Sequence, residues 1–207
     1  QEKAKDMVSQ IAFVQMVNVQ KETIERYIRD GKILPDMEVP IGEHRSFKFF
    51  EKDTVKKYAA EFGWTLITRD KLKAMFMDMV RQMNMAYSYK PVFLIAMLDN
   101  MDETGSAKLE DVAVDFARFY EARREKGIPP EKKPCIFTKG GYTPKDVERL
   151  ILTMPFRRFE DMHAVHHAKQ LGTIQFYKSL FNQLTEEDFT QIRESSKEAI
   201  RRYFGDN

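Results

Sequence analysis

Three groups of side chains in this sequence have the residue types that chemistry demands. His163, His166 and His167 fall in one short stretch, and with Cys135 they offer ligands of the kind zinc takes. On a hairpin, His163 and His167 would share one face and His166 the other, and no second cysteine exists, so the set does not close into a compact site. Lys139-Gly140-Gly141 has the flavour of a phosphate loop. It lacks the lysine-serine/threonine ending and the buried strand before it, and reads as a loop and cap. Asp99, Asp102 and Glu103 gather carboxylates, but the glycine and closing glutamate of a calcium loop are misplaced, which leaves a solvated helix end. No nucleophilic triad is legible. The expectation is a protein that is not an enzyme, with no catalytic residue, no metal and no cofactor.

What remains is binding, and its carriers are cations. The 207 residues hold 34 Lys and Arg against 32 Asp and Glu, a net charge of +2 that by itself proves no polyanionic partner. The distribution says more. Residues 132–178 carry 9 basic and 4 acidic side chains, a local surplus of +5, while 1–67 is balanced at 11 of each. A basic stretch in a near-neutral chain can be a phosphate-facing surface, or an ordinary solvated face. A hydrophobic share of 43% suits a folded chain rather than a disordered one. No apolar run approaches the roughly 20 residues that span a bilayer, and the first residues lack the pattern of a secretion signal. With one cysteine there is no internal disulfide, and a cytoplasmic location without membrane contact is expected.

The elements that must position these cations are mainly helical. A short helix is expected around residues 8–17 and a second over 21–30, with Ile24, Tyr27 and Ile28 as its apolar stripe and Gly31 ending it. Pro35, Pro40 and Gly42 exclude a helix over 33–50, where Ile33-Leu34 is expected to pair with the strand-like Ser46-Phe47-Lys48-Phe49-Phe50. Helix resumes over 52–62. From Thr68, the residues Leu72, Met75, Phe76, Met79, Val80 and Met83 recur at helical spacing, a stripe that reads as core. Helices are expected over 89–101 and 109–126, and an exposed loop over 127–141. Thr143-Pro144 opens another helix, and Pro155 bends the chain. Strands over 163–167 and 173–177 form a hairpin, and a last helix starts near Thr185.

Helix, turn, helix, two-strand wing, helix is the order of a small winged helix-turn-helix. Over residues 8–62 the chain resembles the DNA-binding domain of the mercury-resistance regulator (MerR) and excisionase families. The likeness is carried by Val19, Thr23, Ile24, Arg26, Tyr27 and Ile28, followed by Gly31-Lys32-Ile33. Gly42-Glu43-His44-Arg45-Ser46-Phe47 stands as a wing tip, and Asp53 to Tyr58 as the helix after it. The resemblance implies that Gln20, Lys21, Thr23 and Arg26 face a DNA groove, with His44, Arg45 and Lys48 on the wing. Glu22, Glu25 and the acidic Asp36-Met37-Glu38 depart from that pattern.

The remainder repeats the order on a larger scale. Its third helix exposes Lys145 and Arg149, the bend adds Arg157 and Arg158, and the hairpin offers His166, His167 and Lys169. Residues 87–204 resemble the C-terminal accessory region of bacterial restriction and defence helicases, through Tyr87-Ser88-Tyr89-Lys90-Pro91-Val92, Asn100-Met101-Asp102-Glu103-Thr104-Gly105 and Pro155-Phe156-Arg157-Arg158-Phe159-Glu160-Asp161-Met162. The sequence thus predicts a mainly α fold of two winged helix-turn-helix-like units, 1–67 and 68–207, joined by a long helix over 68–86. The expected function is double-stranded DNA binding in transcription control or in mobile-element and phage-defence biology, as a homodimer or within a larger helicase or transcription assembly. The alternative is a protein-interaction module, a scaffold or inhibitor, that uses the same fold without nucleic acid.

Overall fold

A computed structural model describes residues 7–42 and 45–205. By their internal contacts the residues divide into two compact units, with the boundary between Lys71 and Leu72. Helices dominate, and each unit also holds one three-stranded antiparallel sheet. No helix among the described residues is long and apolar enough to cross a membrane.

The first unit opens with a strand that periodicity does not reveal. β1 (Met7–Ser9) pairs with β3 (Arg45–Glu51), which also pairs with β2 (Met37–Ile41), giving the order β1-β3-β2. Val8 was expected in the first helix and instead lies opposite Phe50 in the sheet. Ser9 then accepts a hydrogen bond from the Ala12 N–H at 3.2 Å and starts α1 (Gln10–Met16), because a short hydroxyl satisfies one of the orphan donors of a first turn. Four residues separate it from α2 (Lys21–Arg29), and α3 (Lys52–Glu61) follows the hairpin.

The hairpin partner is displaced from its expected place. Ile33 is fully buried in the core rather than paired in a strand, and Met37–Ile41 supplies the partner instead. Asp36 explains the shift. Its carboxylate accepts from the Glu51 N–H at 2.8 Å and the Thr54 hydroxyl at 3.1 Å, so it staples the base of the hairpin to the first turn of α3. Phe13, Val14, Val17, Ile24, Phe50, Val55 and Ala59 complete the core, edged by Tyr27, Phe62 and Trp64. Phe13 and Phe50 meet edge to face at 4.9 Å, a favoured aromatic geometry.

In the second unit α4 (Arg69–Gln82) buries Leu72, Phe76, Met77 and Val80, and Phe76 sits against Phe159 and Phe176. The methionine-rich stripe is therefore core, and the helix expected to join the units lies within the second from Leu72 on. α5 (Tyr89–Asn100) is apolar nearly all round and packs against both α6 (Leu109–Glu125) and α11 (Glu186–Phe204). β4 (Ser106–Lys108) falls between α5 and α6. It pairs with β6 (Thr173–Phe176), whose other neighbour is β5 (Val165–Ala168), in the order β4-β6-β5. Between the sheets' strands run α7 (Ile136–Lys139), α8 (Pro144–Thr153) and α9 (Pro155–Asp161), and α10 (Lys178–Phe181) leads to α11. From α5 on the order is helix, strand, four helices, hairpin.

Candidate nucleic-acid interface

α2 buries Ile24 completely and half-buries Tyr27 and Ile28, which turns Glu22, Arg26 and Arg29 outward. Lys21 lies at one edge of that exposed face, 3.4 Å from Glu25, and both members of the pair are about half exposed. Such a pair is worth little in water, so Lys21 can exchange its partner for a phosphate at small cost. Arg26 is exposed, with its guanidinium over the Tyr27 ring at 5.5 Å. Gln20 stands exposed at the N-cap, with no cap hydrogen bond from its side chain. Thr23 is half-buried at the opposite edge from Lys21. Of the four, Arg26 is the one that the helix aims straight outward.

The first wing is not the cationic ribbon that the resemblance implies. Side chains alternate along a strand, so Arg45 and Lys48 on β3 point to opposite faces. Lys48 is drawn into a network in which it donates to Ser46 at 2.9 Å and lies 3.4 Å from Glu38. The Ser46 hydroxyl donates to Glu38 at 2.6 Å and, with Lys48, holds that carboxyl below its usual range against the opposing effect of burial. The departure at Glu38 thus has a local role. Arg45 sits across from Ile41, on a face where Val39, Ile41 and Phe47 are 41%, 44% and 60% exposed. Among the described residues that face is apolar with Arg45 as its cation. His44 lies outside the described residues.

The second unit gathers its cations more closely. Thr143 and Asp146 form a reciprocal capping box: the Thr143 N–H donates to Asp146 at 2.9 Å and the Asp146 N–H to the Thr143 hydroxyl at 3.3 Å. Those Thr143 bonds, with a smaller contribution from Arg149, hold the Asp146 carboxyl below the ordinary range. Val147 and Ile151 face the core, and Lys145 and Arg149, one turn apart, face solvent with side chains 80% and 76% exposed. Each has an acid on its own helix, Glu148 at 2.8 Å and Asp146 at 3.6 Å. Lys169 is exposed in the turn between β5 and β6, and Arg157 is exposed on α9. His167 on β5 is shifted below its usual value by burial and by Lys169, while Glu148 pulls the other way. His167 is thus the group on β5 that feels charge from both Lys169 and Glu148. Lys145 and Arg149 are neighbours on the solvent face of α8, Lys169 lies in the hairpin turn, and Arg45 and Lys48 point to opposite faces of β3.

The histidine pattern differs from expectation. His163 takes φ 57°, outside the strand, and this reversal swings its ring to within 5.1 Å of Tyr177, where His166 also packs at 4.8 Å. His167 faces Phe156 instead. No group of three or more His, Cys, Asp or Glu among the described residues is placed to hold a metal. Asp102 accepts from Thr104 and Ser106 and closes a turn, and Asp99 pairs with Arg193.

Residues 127–141 do not form the wholly exposed loop expected. Phe137 and Glu131 are buried, at 2% and 3% exposure, and α7 lies within the segment. Too few apolar residues occur there for periodicity to show it, and a lone glutamate gives no sign that it is buried. The chain matches no protein-family model, no curated protein and no solved structure.

Proposed function

We propose that this chain binds double-stranded DNA, with α8 and the β5–β6 hairpin turn as the principal contact and α2 as a second. The observation that carries the reading is the pair Lys145 and Arg149, one turn apart on the solvent face of α8 with side chains 80% and 76% exposed. An α-helix fits the major groove, and a hairpin beside it reaches the flanking phosphates. In the second unit a hairpin follows a run of helices, as a wing does, and α1, turn, α2 in the first unit stand in the order of a helix-turn-helix. The acids beside Lys145 and Arg149 do not oppose it. The Arg149–Asp146 pair is exposed on both sides, and such pairs contribute only about 0.2–1 kcal/mol. A place in transcription control or in mobile-element and phage-defence assemblies is the setting we infer for such an activity.

Fluorescence anisotropy with a labelled random duplex at low salt tests this. Lys145→Ala with Arg149→Ala is expected to weaken binding by at least about tenfold, roughly 1.4 kcal/mol. Arg26→Ala and Arg45→Ala are each expected to weaken it less. Equal affinity in the double variant would overturn the assignment to α8.

A second reading has its own observation. The apolar face of the first hairpin, with Phe47, Ile41 and Val39 uncovered, has the chemistry of a protein-interaction surface. Absence of duplex binding at low salt would leave this reading in place of the first.

A further inference from the structure

We propose that the cleft between the end of α7 and the outer side of α8 is a phosphate-binding site, which the duplex-binding reading does not require. The cleft has a volume of about 360 Å³. That is the size of the smaller pockets that hold metabolites. Ile136 and Leu150 are its apolar lining, and Lys139, Tyr142, Asp146, Arg149 and Thr153 its polar lining.

The backbone at the rim is bare. α7 ends at Lys139, and Gly140 and Gly141 follow with φ 74° and 73°, both left-handed. Two such residues in a row turn the chain sharply with no Cβ on it, and a ligand can approach the main chain there. The Arg124 guanidinium comes to the same place, with Nη1 3.6 Å from where a Cβ on Gly140 would stand. Arg124 thus lies beside Gly140, and Lys139 and Arg149 line the same cleft as the two glycines.

The acids nearby are already occupied. Asp146 accepts from the Thr143 N–H and hydroxyl at 2.9 and 2.7 Å and lies 3.6 Å from Arg149. Glu121 accepts the Tyr142 hydroxyl at 2.6 Å, and burial with that bond pushes the phenol up to about 12, so it stays protonated as a donor. Lys139 and Arg124 form no ion pair with a carboxylate among the described residues. With Asp146 and Glu121 both counted, cations remain in excess. A planar guanidinium and an ammonium converging on a glycine turn match the several acceptor oxygens of a phosphate group better than one carboxylate or a halide. The group can come from free phosphate, from a nucleotide or from a nucleic-acid backbone.

Isothermal titration of the full chain at low, constant ionic strength tests the site, with inorganic phosphate, AMP and a short duplex as separate ligands and chloride as the balancing anion. Saturable phosphate binding is expected, weakened at least about tenfold in Lys139→Gln/Arg149→Gln and unchanged in Lys108→Gln, whose side chain is exposed on β4. AMP tighter than phosphate assigns the site to nucleotides, and equal affinities assign it to the phosphate group alone. A duplex that competes with phosphate assigns it to the backbone. Failure of phosphate and AMP to saturate at tens of millimolar, or equal binding by the double variant with its thermal midpoint preserved, overturns the proposal. Phosphate binding without duplex binding would end the DNA reading and leave this site standing, and duplex binding without phosphate saturation would do the reverse.

Discussion

The Ser88 hydroxyl donates to a carboxylate oxygen of Glu131 at 2.7 Å, across 43 residues of chain and out of contact with solvent. The Ser88 N–H donates to the same oxygen at 2.9 Å, and the other oxygen accepts from the Tyr203 hydroxyl at 2.6 Å and the Lys132 N–H at 2.7 Å. Tyr120 completes the cluster, 3.0 Å from the Ser88 hydroxyl. One side chain thus ties residues 127–141 to the start of α5 and the end of α11, with four donors meeting its two oxygens. Removing it leaves buried donors unpaired, each costing about 1–3 kcal/mol. Glu131→Ala is expected to destabilise the second unit by about 3 kcal/mol in urea unfolding followed by circular dichroism. Glu131→Gln keeps the shape but turns an amide donor toward other donors, and is expected to cost less. A Glu131→Ala protein as stable as the parent would contradict this account of the segment.

Gly105 is held by space as well as by backbone. Its φ is 77°, and a Cβ there would stand 2.5 Å from the Phe181 ring. Ring and chain would have to separate in the core where Phe181 meets Phe176 and Phe189. Gly105→Ala is expected to cost about 2 kcal/mol, from strain and overpacking together. Gly141→Ala, where the added carbon meets nothing, is expected to cost less because only the backbone term applies. Thermal midpoints of the two variants check the order.

How much of this was legible in the sequence follows from what each feature depends on. The α8 start was legible because Thr143, Pro144 and Asp146 signal a cap through bonds made within one turn. The same holds for Thr185 and Asp188 at α11, and for the apolar spacing of α2 and α4. β1 and β4 were not legible. Each is three residues long and takes its identity from a distant partner, Phe50 for Val8 and Ile174 for Ala107. The site divides in the same way. Lys145 and Arg149 are neighbours by helical spacing alone, whereas the place of Lys169 depends on how the hairpin packs. The opposed faces of Arg45 and Lys48 follow from strand alternation once β3 is placed, and the neutralising partner Glu38 follows only from the β2 register.

The His163 imidazole gives the second unit a pH response. Burial favours its neutral form and holds it below the ordinary 6.5. As pH falls through that value the unfolded chain takes the proton first, so stability declines until the folded imidazole also protonates. His167 is lowered too, and adds in the same direction. Unfolding free energy is therefore expected to fall between about pH 7 and pH 5, ahead of any loss from carboxylate protonation. His163→Asn, which suits the left-handed φ of 57°, is expected to flatten part of that slope in urea titrations at the two pH values. An unchanged slope would place the proton uptake elsewhere.

Contact between the α8 cations and the phosphates of a duplex would make duplex affinity fall with rising salt. Each phosphate neutralised contributes about −0.9 to the slope of log affinity against log salt. Lys145, Arg149, Lys169 and the α2 cations predict a slope of about −3 to −5, reduced by about 1 for each of Lys145→Ala and Arg149→Ala. A slope near zero, or the parent slope retained in both variants, would contradict it.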